Sequence, residues 1–288
     1  MNRFGIIGHL DRPQIKRITE KITGWTKDND IECRICVDLA GLVGGEEISS
    51  EKDEIWKYSD VIISLGGDGS MLSSARIAGP HDIPILGINL GSLGFLTEVS
   101  EDHIYDSLER LKNDDFKIEE RMMLEIKAPD LDRESHVALN DVVFDHGYTS
   151  NLAKLDLYSN DQFVCSYDAD GIIISSPTGS TAYSLSVGGP IINPLMDALI
   201  VSPISPHTLT LRTIVFPSLD KITVKAVGEG RKIRISTDGQ ILGNLENGQT
   251  AGVRKSGYRL KLVKLNGGSF YEILRTKLHW GARPLLNS

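Results

Sequence analysis

An apolar, β-branched run, Val61-Ile62-Ile63-Ser64-Leu65, stops at Gly66 and Gly67; a single carboxylate, Asp68, follows, then Gly69 and Ser70. Glycines at the end of a buried strand permit positive φ and let a phosphate approach the backbone closely. A helix expected to begin near Ser70 presents first-turn N–H groups to an anion. A carboxylate beside such a cradle repels phosphate unless it has a task. Phosphoryl transfer provides one, because a group must orient the attacking hydroxyl and take its proton while amides and metal ions hold the phosphates. Asp68 fits that role, with Gly66, Gly67 and Gly69 admitting the phosphates. An Asp with a reference pKa near 3.9 is a weak base for a sugar hydroxyl, so much of its contribution is positioning. A plain strand-to-helix turn uses the same residue types. The loop is neither of two common phosphate loops: Gly-Lys never occurs in the chain, and position 72, where a G-x-G-x-x-G would need its last glycine, is Leu72.

Other residues have types that read a polar ligand. Asn140 and Asp141 stand side by side in "ALNDVV", where an amide and a carboxylate can meet hydroxyl and amino groups. Strand alternation sends such neighbours to opposite faces; a turn or bulge is the competing arrangement, with Leu139 and Val142 speaking against a simple turn. "SSPTGSTAYSLSVGGP" is rich in hydroxyls, and Ser180 or Thr181 can cap a short helix there. Tyr183 can stack on a base or pack in the core. Asp168 and Asp170 share one face of an extended chain, as a metal pair or a solvated acidic strand end would. Gln240 follows a turn, and its amide can read a base edge. Phe95 and Leu96, in a glycine-punctuated loop, can wall a pocket or fill a core. His207 is a lone histidine between apolar segments. No group of His, Cys and carboxylates has metal-ligand spacing, so no protein metal ligand is expected, and Mg²⁺ is expected to arrive on a triphosphate. Cys33 and Cys36 form a C-x-x-C, but strand periodicity puts them on opposite faces and no second pair completes a zinc site.

These residues need elements to hold them. Segments 3–8, 31–38, 60–66 and 83–90 read as strands, the last two as near-continuous apolar runs suited to a parallel sheet covered on both faces. Between them Ile15, Ile18, Ile22 and Trp25 fall on one helical stripe, with Asp11 as cap and Pro13 in the first turn. Ile104, Leu108 and Leu111 mark another helix. From about Phe116 the texture becomes strand and turn. The expectation is an α/β N-terminal domain with a parallel sheet over residues 1–115 and a mostly-β C-terminal domain over 116–265. The helical spacing of Tyr271, Leu274 and Leu278 lets the tail, 266–288, pack back onto the first domain.

The chain has 288 residues, 40% hydrophobic and 24% charged, with net charge −8. No apolar stretch approaches the roughly 20 residues of a membrane span, the N-terminus lacks a secretory apolar run, and the acidic balance gives no nucleic-acid footprint. Residence in the cytoplasm is expected, without a membrane or nucleic-acid partner.

Taken together, "GGDGS" (66–70), "GINLGSLGFLTE" (87–98), "ALND" (138–141), "DGIIISSPTGSTAYSLSVGGP" (170–190) and "DGQ" (238–240) resemble the motif set of bacterial NAD kinases, in the same order and over nearly the whole chain. That resemblance implies an active site in the cleft between the two domains and transfer of the ATP γ-phosphate to the adenosine 2′-hydroxyl of NAD, giving NADP. It also implies that Asn140, Asp141, Asp170 and the segment Thr181, Ala182, Tyr183, Ser184, Leu185 and Ser186 bind NAD, and that the chain forms a homo-oligomer, dimer or tetramer. Similar enzymes often carry a basic residue where this chain has Asp168, which sets position 168 apart from Asp170. Sugar and lipid kinases share the GGDG loop but leave 170–190 unexplained. A non-catalytic dinucleotide sensor would have no use for Asp68.

Overall fold

The computed structural model describes residues 1–91, 94–129, 131–147, 152–228, 232–265 and 267–281. The chain divides into two units, Met1–Glu119 with the chain from Leu260 onward, and Glu120–Arg259. In the first, strands alternate with helices: β1 (Arg3–Gly8), α1 (Ile15–Asp28), β2 (Glu32–Cys36), α2 (Val37–Val43), β3 (Ser49–Ser50), β4 (Val61–Gly66), α3 (Asp68–Ala78), β5 (Ile85–Asn89), β6 (Val99–Ser100) and α4 (Ile104–Lys112). These strands pair in parallel in the order β3-β2-β1-β4-β5-β6. The apolar run of β4 is buried along its whole length, as a sheet covered on both faces requires. Ile15, Ile18 and Ile22 of α1 and Ile104, Leu108 and Leu111 of α4 join Phe4, Ile6, Ile63 and Ile88 in one core, each worth about 1.5–3 kcal/mol of burial. The strand order reverses between β1 and β4. In open parallel sheets the crevice at such a reversal, beyond the carboxyl ends of the strands, is the usual ligand site, and β4 ends there with Gly66.

Local structure departs from the sequence expectation at several points. The strand through 31–38 ends at Cys36, and Val37–Val43 is a helix. Asp38 lies in its first turn, where an acidic side chain complements the helix dipole, and Gly44 (φ +69°) closes it in the left-handed conformation that favours glycine. Asp11 does not cap α1: the helix opens at Ile15 after Gln14, with no side-chain cap, and Ile15 N–H closes a turn on the Arg12 carbonyl. α3 begins at Asp68 rather than near Ser70. Cys33 and Cys36 are free thiols, and burial pushes Cys33 up to about 11.

The second unit is mostly antiparallel: β7 (Lys117–Lys127), β8 (His136–Ala138), β9 (Asp141–Asp145), β10 (Ala153–Ser159), β11 (Gln162–Ala169), β12 (Gly171–Ser175), α5 (Tyr183–Ser186), β13 (Ala198–Ile204), β14 (Ile214–Pro217), β15 (Ile222–Ala226), β16 (Ile233–Thr237), β17 (Gln240–Leu245) and β18 (Thr250–Lys264). One run of strands is β11-β10-β15-β18 and the other is β14-β13-β12-β9-β16-β17. Leu155, Leu157 and Val224 from the first pack with Val142, Phe144, Ile172, Ile174 and Val201 from the second. The stretch 162–175 is two strands, not one: the chain leaves β11 at Ala169 and enters β12 at Gly171, which puts Asp170 at the crossing between sheets. After β18, α6 (Phe270–Leu278) belongs to the first unit and opens on a capping box between Ser269 and Glu272. Of the 266–288 tail, residues 266 and 282–288 lie outside the described residues. No helix among the described residues is long and apolar enough to cross a membrane.

Candidate active site

The end of β4 is built around Asp68. Gly66 has φ +142°, and a Cβ there would collide with Ser70, so the turn into α3 requires glycine. Gly67 takes the cap position and Asp68 the first helical position, where a negative charge is favoured by the helix dipole. The side chain is fixed from a distant loop. Its Oδ2 accepts the Phe95 N–H at 2.9 Å and its Oδ1 the Leu96 N–H at 3.0 Å. That loop is held in turn by Gly94 N–H donating to Thr97 Oγ1 at 3.2 Å and by a Lys264–Glu98 ion pair. A Cβ at Gly94 would collide with both the Asp68 carboxylate and Thr97 Oγ1, so glycine lets the loop close on the aspartate. Lys277 of α6 places its Nζ 3.7 Å from Asp68 Oδ2 and 4.9 Å from the centre of the Phe95 ring.

The second group of residues gathers where β9, β12, α5 and the β16–β17 turn meet. Asn140 is not in a strand: β8 ends at Ala138, the chain bends at Leu139 and Asn140, and β9 starts at Asp141. The bend is pinned by Asp238. Its Oδ2 accepts the Leu139 N–H at 2.9 Å, and its Oδ1 accepts those of Asn140 at 2.8 Å and Asp141 at 3.2 Å. Asp238 (φ +46°) and Gly239 (φ +79°) form the turn that joins β16 to β17, as Asp-Gly does in tight hairpins. The Asn140 carbonyl accepts the Ser176 N–H at 2.9 Å, and Gly179 packs so close to it that a Cβ would collide. Asp141 is 5% exposed. Burial first, and then the Asp238 carboxylate, pushes its pKa up to about 7.

Asp170 lies 3.6 Å from His146 Nε2, and its backbone is held by its own N–H on the Ile204 carbonyl and by His146 N–H on its oxygen. Asp145 pairs with Arg234 at 2.9 Å. Tyr183 is 44% exposed. Its phenol is raised above its ordinary pKa by partial burial and then by the carboxylates of Asp145, Asp141 and Asp170, against the Arg234 guanidinium. The carboxylates of Asp145, Asp141 and Asp170 are therefore an acidic group near enough to act on the Tyr183 phenol. Such a set accepts hydrogen bonds from hydroxyl and amino groups.

Within 181–186 the side chains separate. Ser184 is buried against Ser202 Oγ at 3.1 Å, Thr181, Ala182 and Leu185 are half-buried, and Ser186 is exposed. Neither Ser180 nor Thr181 is a helix cap: Ser180 Oγ donates to the Pro177 carbonyl and accepts the Ile192 N–H, and α5 follows Ala182 without a side-chain cap. Gln240 is exposed at the start of β17. Asp168 faces Lys154 at 3.8 Å. His207 is exposed, its N–H on the Asp168 carbonyl. Phe95 is half-buried under Lys277, and Leu96 is 6% exposed.

Sequence reasoning missed Asp238, Lys277, His146 and Arg234. Asp238 stands in the "DGQ" motif and in the Asp-Gly of a hairpin without a role assigned to it, and the only signal for Lys277 was a basic residue near a helix end. Two cavities of about 430 and 470 Å³ lie elsewhere, one beside Lys127 and Arg254 and one beside Glu20 and Gly44, and neither is lined by these residues.

Known proteins share this architecture. Residues 4–116 match the family described as ATP-NAD kinase N-terminal domain, and residues 139–265 its C-terminal domain. The NAD kinase of Caldanaerobacter subterraneus is 38% identical over 96% of this chain and 99% of its own length; that of Heliobacterium modesticaldum is 38% identical over 98% and 100%. Among solved structures, yeast NADH kinase complexed with NADH superposes with TM-score 0.92 at 23% identity, covering 100% of this chain and 90% of that one. An NAD kinase from Archaeoglobus fulgidus in complex with ATP gives 0.75 at 23% identity, covering 96% and 98%. With both family descriptions matched in chain order and relatives this similar from end to end, the chain belongs to the NAD kinase family.

Proposed function

We propose that this NAD kinase transfers the γ-phosphate of ATP to the 2′-hydroxyl of the adenosine ribose of NAD, giving NADP and ADP. The observation that carries the reading is Asp68: a half-exposed carboxylate locked by two backbone N–H groups at the carboxyl edge of a parallel sheet, on the first turn of a helix. The ribose hydroxyl donates to this carboxylate and is turned toward the γ-phosphorus. A new O–P bond forms, the bond to the β,γ-bridging oxygen breaks, and ADP leaves. The hydroxyl proton passes to Asp68 late and then to water. The first-turn N–H groups of α3 face phosphate oxygens. Asn140, Asp141, Asp170, Gln240, Tyr183 and the rest of the 181–186 segment hold NAD, and Phe95 lies against the nucleotide.

We assign the divalent cation to the substrate, as Mg²⁺ carried on the triphosphate, the usual habit of a hard cation that keeps much of its water. Among the described residues no trio of His, Cys, Asp or Glu is placed to cage one. When bound it neutralises charge on the phosphates. Cytoplasmic residence and a homo-oligomer, dimer or tetramer, belong to the same proposal, and sedimentation checks the latter. The decisive assay incubates the chain with Mg²⁺, ATP and NAD. A product used by a strictly NADP-dependent dehydrogenase, with a phosphorus NMR signal for a 2′-phosphomonoester, is expected. A phosphorylated hexose or lipid without NADP would overturn the reading.

A further inference from the structure

The glycine loop brings no cation of its own. From Val61 to Ala75 the chain has no Lys or Arg, and its one charge is the negative Asp68. A phosphate entering this cradle meets a carboxylate, and a protein cation to offset it has to come from outside this stretch. α6 supplies it. The Lys277 ammonium stands 3.7 Å from Asp68 Oδ2 and 4.9 Å from the Phe95 ring centre.

Three features mark this as more than a surface ion pair. Both Asp68 oxygens already accept a backbone N–H, from Phe95 and Leu96. At 3.7 Å the ammonium is attracted to the carboxylate but is beyond hydrogen-bond reach, so its donors are not spent there. Its side chain and that of Asp68 are 28% and 32% exposed, open to an incoming ligand. A pair this exposed adds little to stability. The helix that carries the lysine is anchored independently, by the Ser269–Glu272 capping box and by buried Leu274.

We propose that Lys277 is a ligand of the phosphoryl group being transferred. Its ammonium bridges the Asp68 carboxylate and an oxygen of the γ-phosphate, cancelling the repulsion between them and holding the phosphorus beside the hydroxyl that Asp68 orients. The inference rests on the role of Asp68 given above. A flexible ammonium suits this task, since it binds phosphate as a point charge.

The test uses the full chain with Lys277→Ala and Lys277→Arg, with ATP and NAD varied separately and ADP as an inhibitor. Contact with the γ-phosphate predicts a rise of about tenfold or more in the KM for ATP in Lys277→Ala, the size of a lost charge-assisted hydrogen bond. The KM for NAD and the inhibition constant of ADP, which lacks that phosphate, are expected within about twofold of wild type, and Lys277→Arg is expected to recover most of the loss. Equal weakening of ATP and ADP would overturn the proposal, because damage to the whole nucleotide site does not discriminate between them. So would unchanged ATP kinetics with a displaced pH profile of kcat, which would make Lys277 a tuner of Asp68 alone. If wild type forms no NADP from ATP and NAD, the function itself fails; if wild type is active and the variant's ATP kinetics are intact, only this inference fails.

Discussion

At the scale of single residues, the arrangement around Asp68 separates two ways of damaging one carboxylate. Asp68→Asn keeps the shape but cannot take the proton, and its amide nitrogen must face one of the two N–H groups that now donate to it. We expect kcat to fall by about 10²-fold or more, the low end for loss of a general base, with the KM for NAD changing far less; steady-state kinetics decide it, and a variant near wild-type kcat removes Asp68 from the mechanism. Gly94→Ala leaves the carboxylate in place chemically but drives a methyl into it. Because a misplacement of about 1 Å can cost about 10²-fold, a loss of kcat of at least about tenfold is expected with little change in melting temperature. The two neighbouring aspartates give a contrast. Asp170 borders Tyr183 and His146, while Asp168 is paired with Lys154 in solvent. Asp170→Ala is expected to raise the KM for NAD by about tenfold or more, as loss of a charged hydrogen bond does. Asp168→Ala is expected to change it by less than about threefold. Equal losses would favour a shared acidic patch over a specific contact at position 170.

At the scale of elements, the β16–β17 hairpin works as a clamp on a remote bend. One carboxylate at the turn, Asp238, accepts three consecutive N–H groups of Leu139, Asn140 and Asp141. Without it the bend that presents Asn140 and Asp141 has orphaned donors, each costing about 1–3 kcal/mol where buried. Asp238→Ala is therefore expected to raise the KM for NAD more than it lowers kcat, and to speed hydrogen exchange at amides 139–141 ahead of the strands around them. Asp238→Asn keeps one acceptor oxygen and is expected to fall between the two. Unchanged exchange at 139–141 in the Ala variant would show that the bend is held by its strands alone.

At the scale of the whole molecule, one buried acid ties stability to pH. Asp141 titrates at about 7 in the folded chain against a reference of 3.8. Between those values the folded state keeps a proton that the unfolded state has lost, so stability from this group falls as pH rises from about 4 to 7, by at most roughly 1.4 kcal/mol per pH unit, and is flat above. Asp141→Asn removes the burden. Its melting temperature relative to wild type is expected to be higher at pH 8 than at pH 5. A difference independent of pH would mean that Asp141 is ionised throughout that range.

The α/β first unit, the mostly-β second unit and the placing of a carboxylate at the end of β4 were all legible in the sequence, because burial leaves a periodicity in the residues themselves. Near-continuous apolar runs at 60–66 and 83–90 mark parallel strands, stripes such as Ile15, Ile18 and Ile22 mark helices, and glycines mark the turn that must be tight. Periodicity carried the strand through Val37 and Asp38, the opening of a helix of only seven residues that shows too little of its period to be told from a strand. It also treated Asp168 and Asp170 alike, since it assumes a chain that stays extended, whereas the chain changes sheets at Asp170. What holds the candidate site residues was decided only by tertiary structure. Asp68 is fixed by amides of Phe95 and Leu96 and faced by Lys277, and the bend at Asn140 is fixed by Asp238, nearly a hundred residues away. In the sequence Asp238 has the form of an ordinary hairpin turn residue and Lys277 that of a solvated lysine at a helix end. Neither type nor spacing records a partner so far along the chain, because the hydrogen bond or ion pair comes into being only when the strands and helices carrying the two groups have packed.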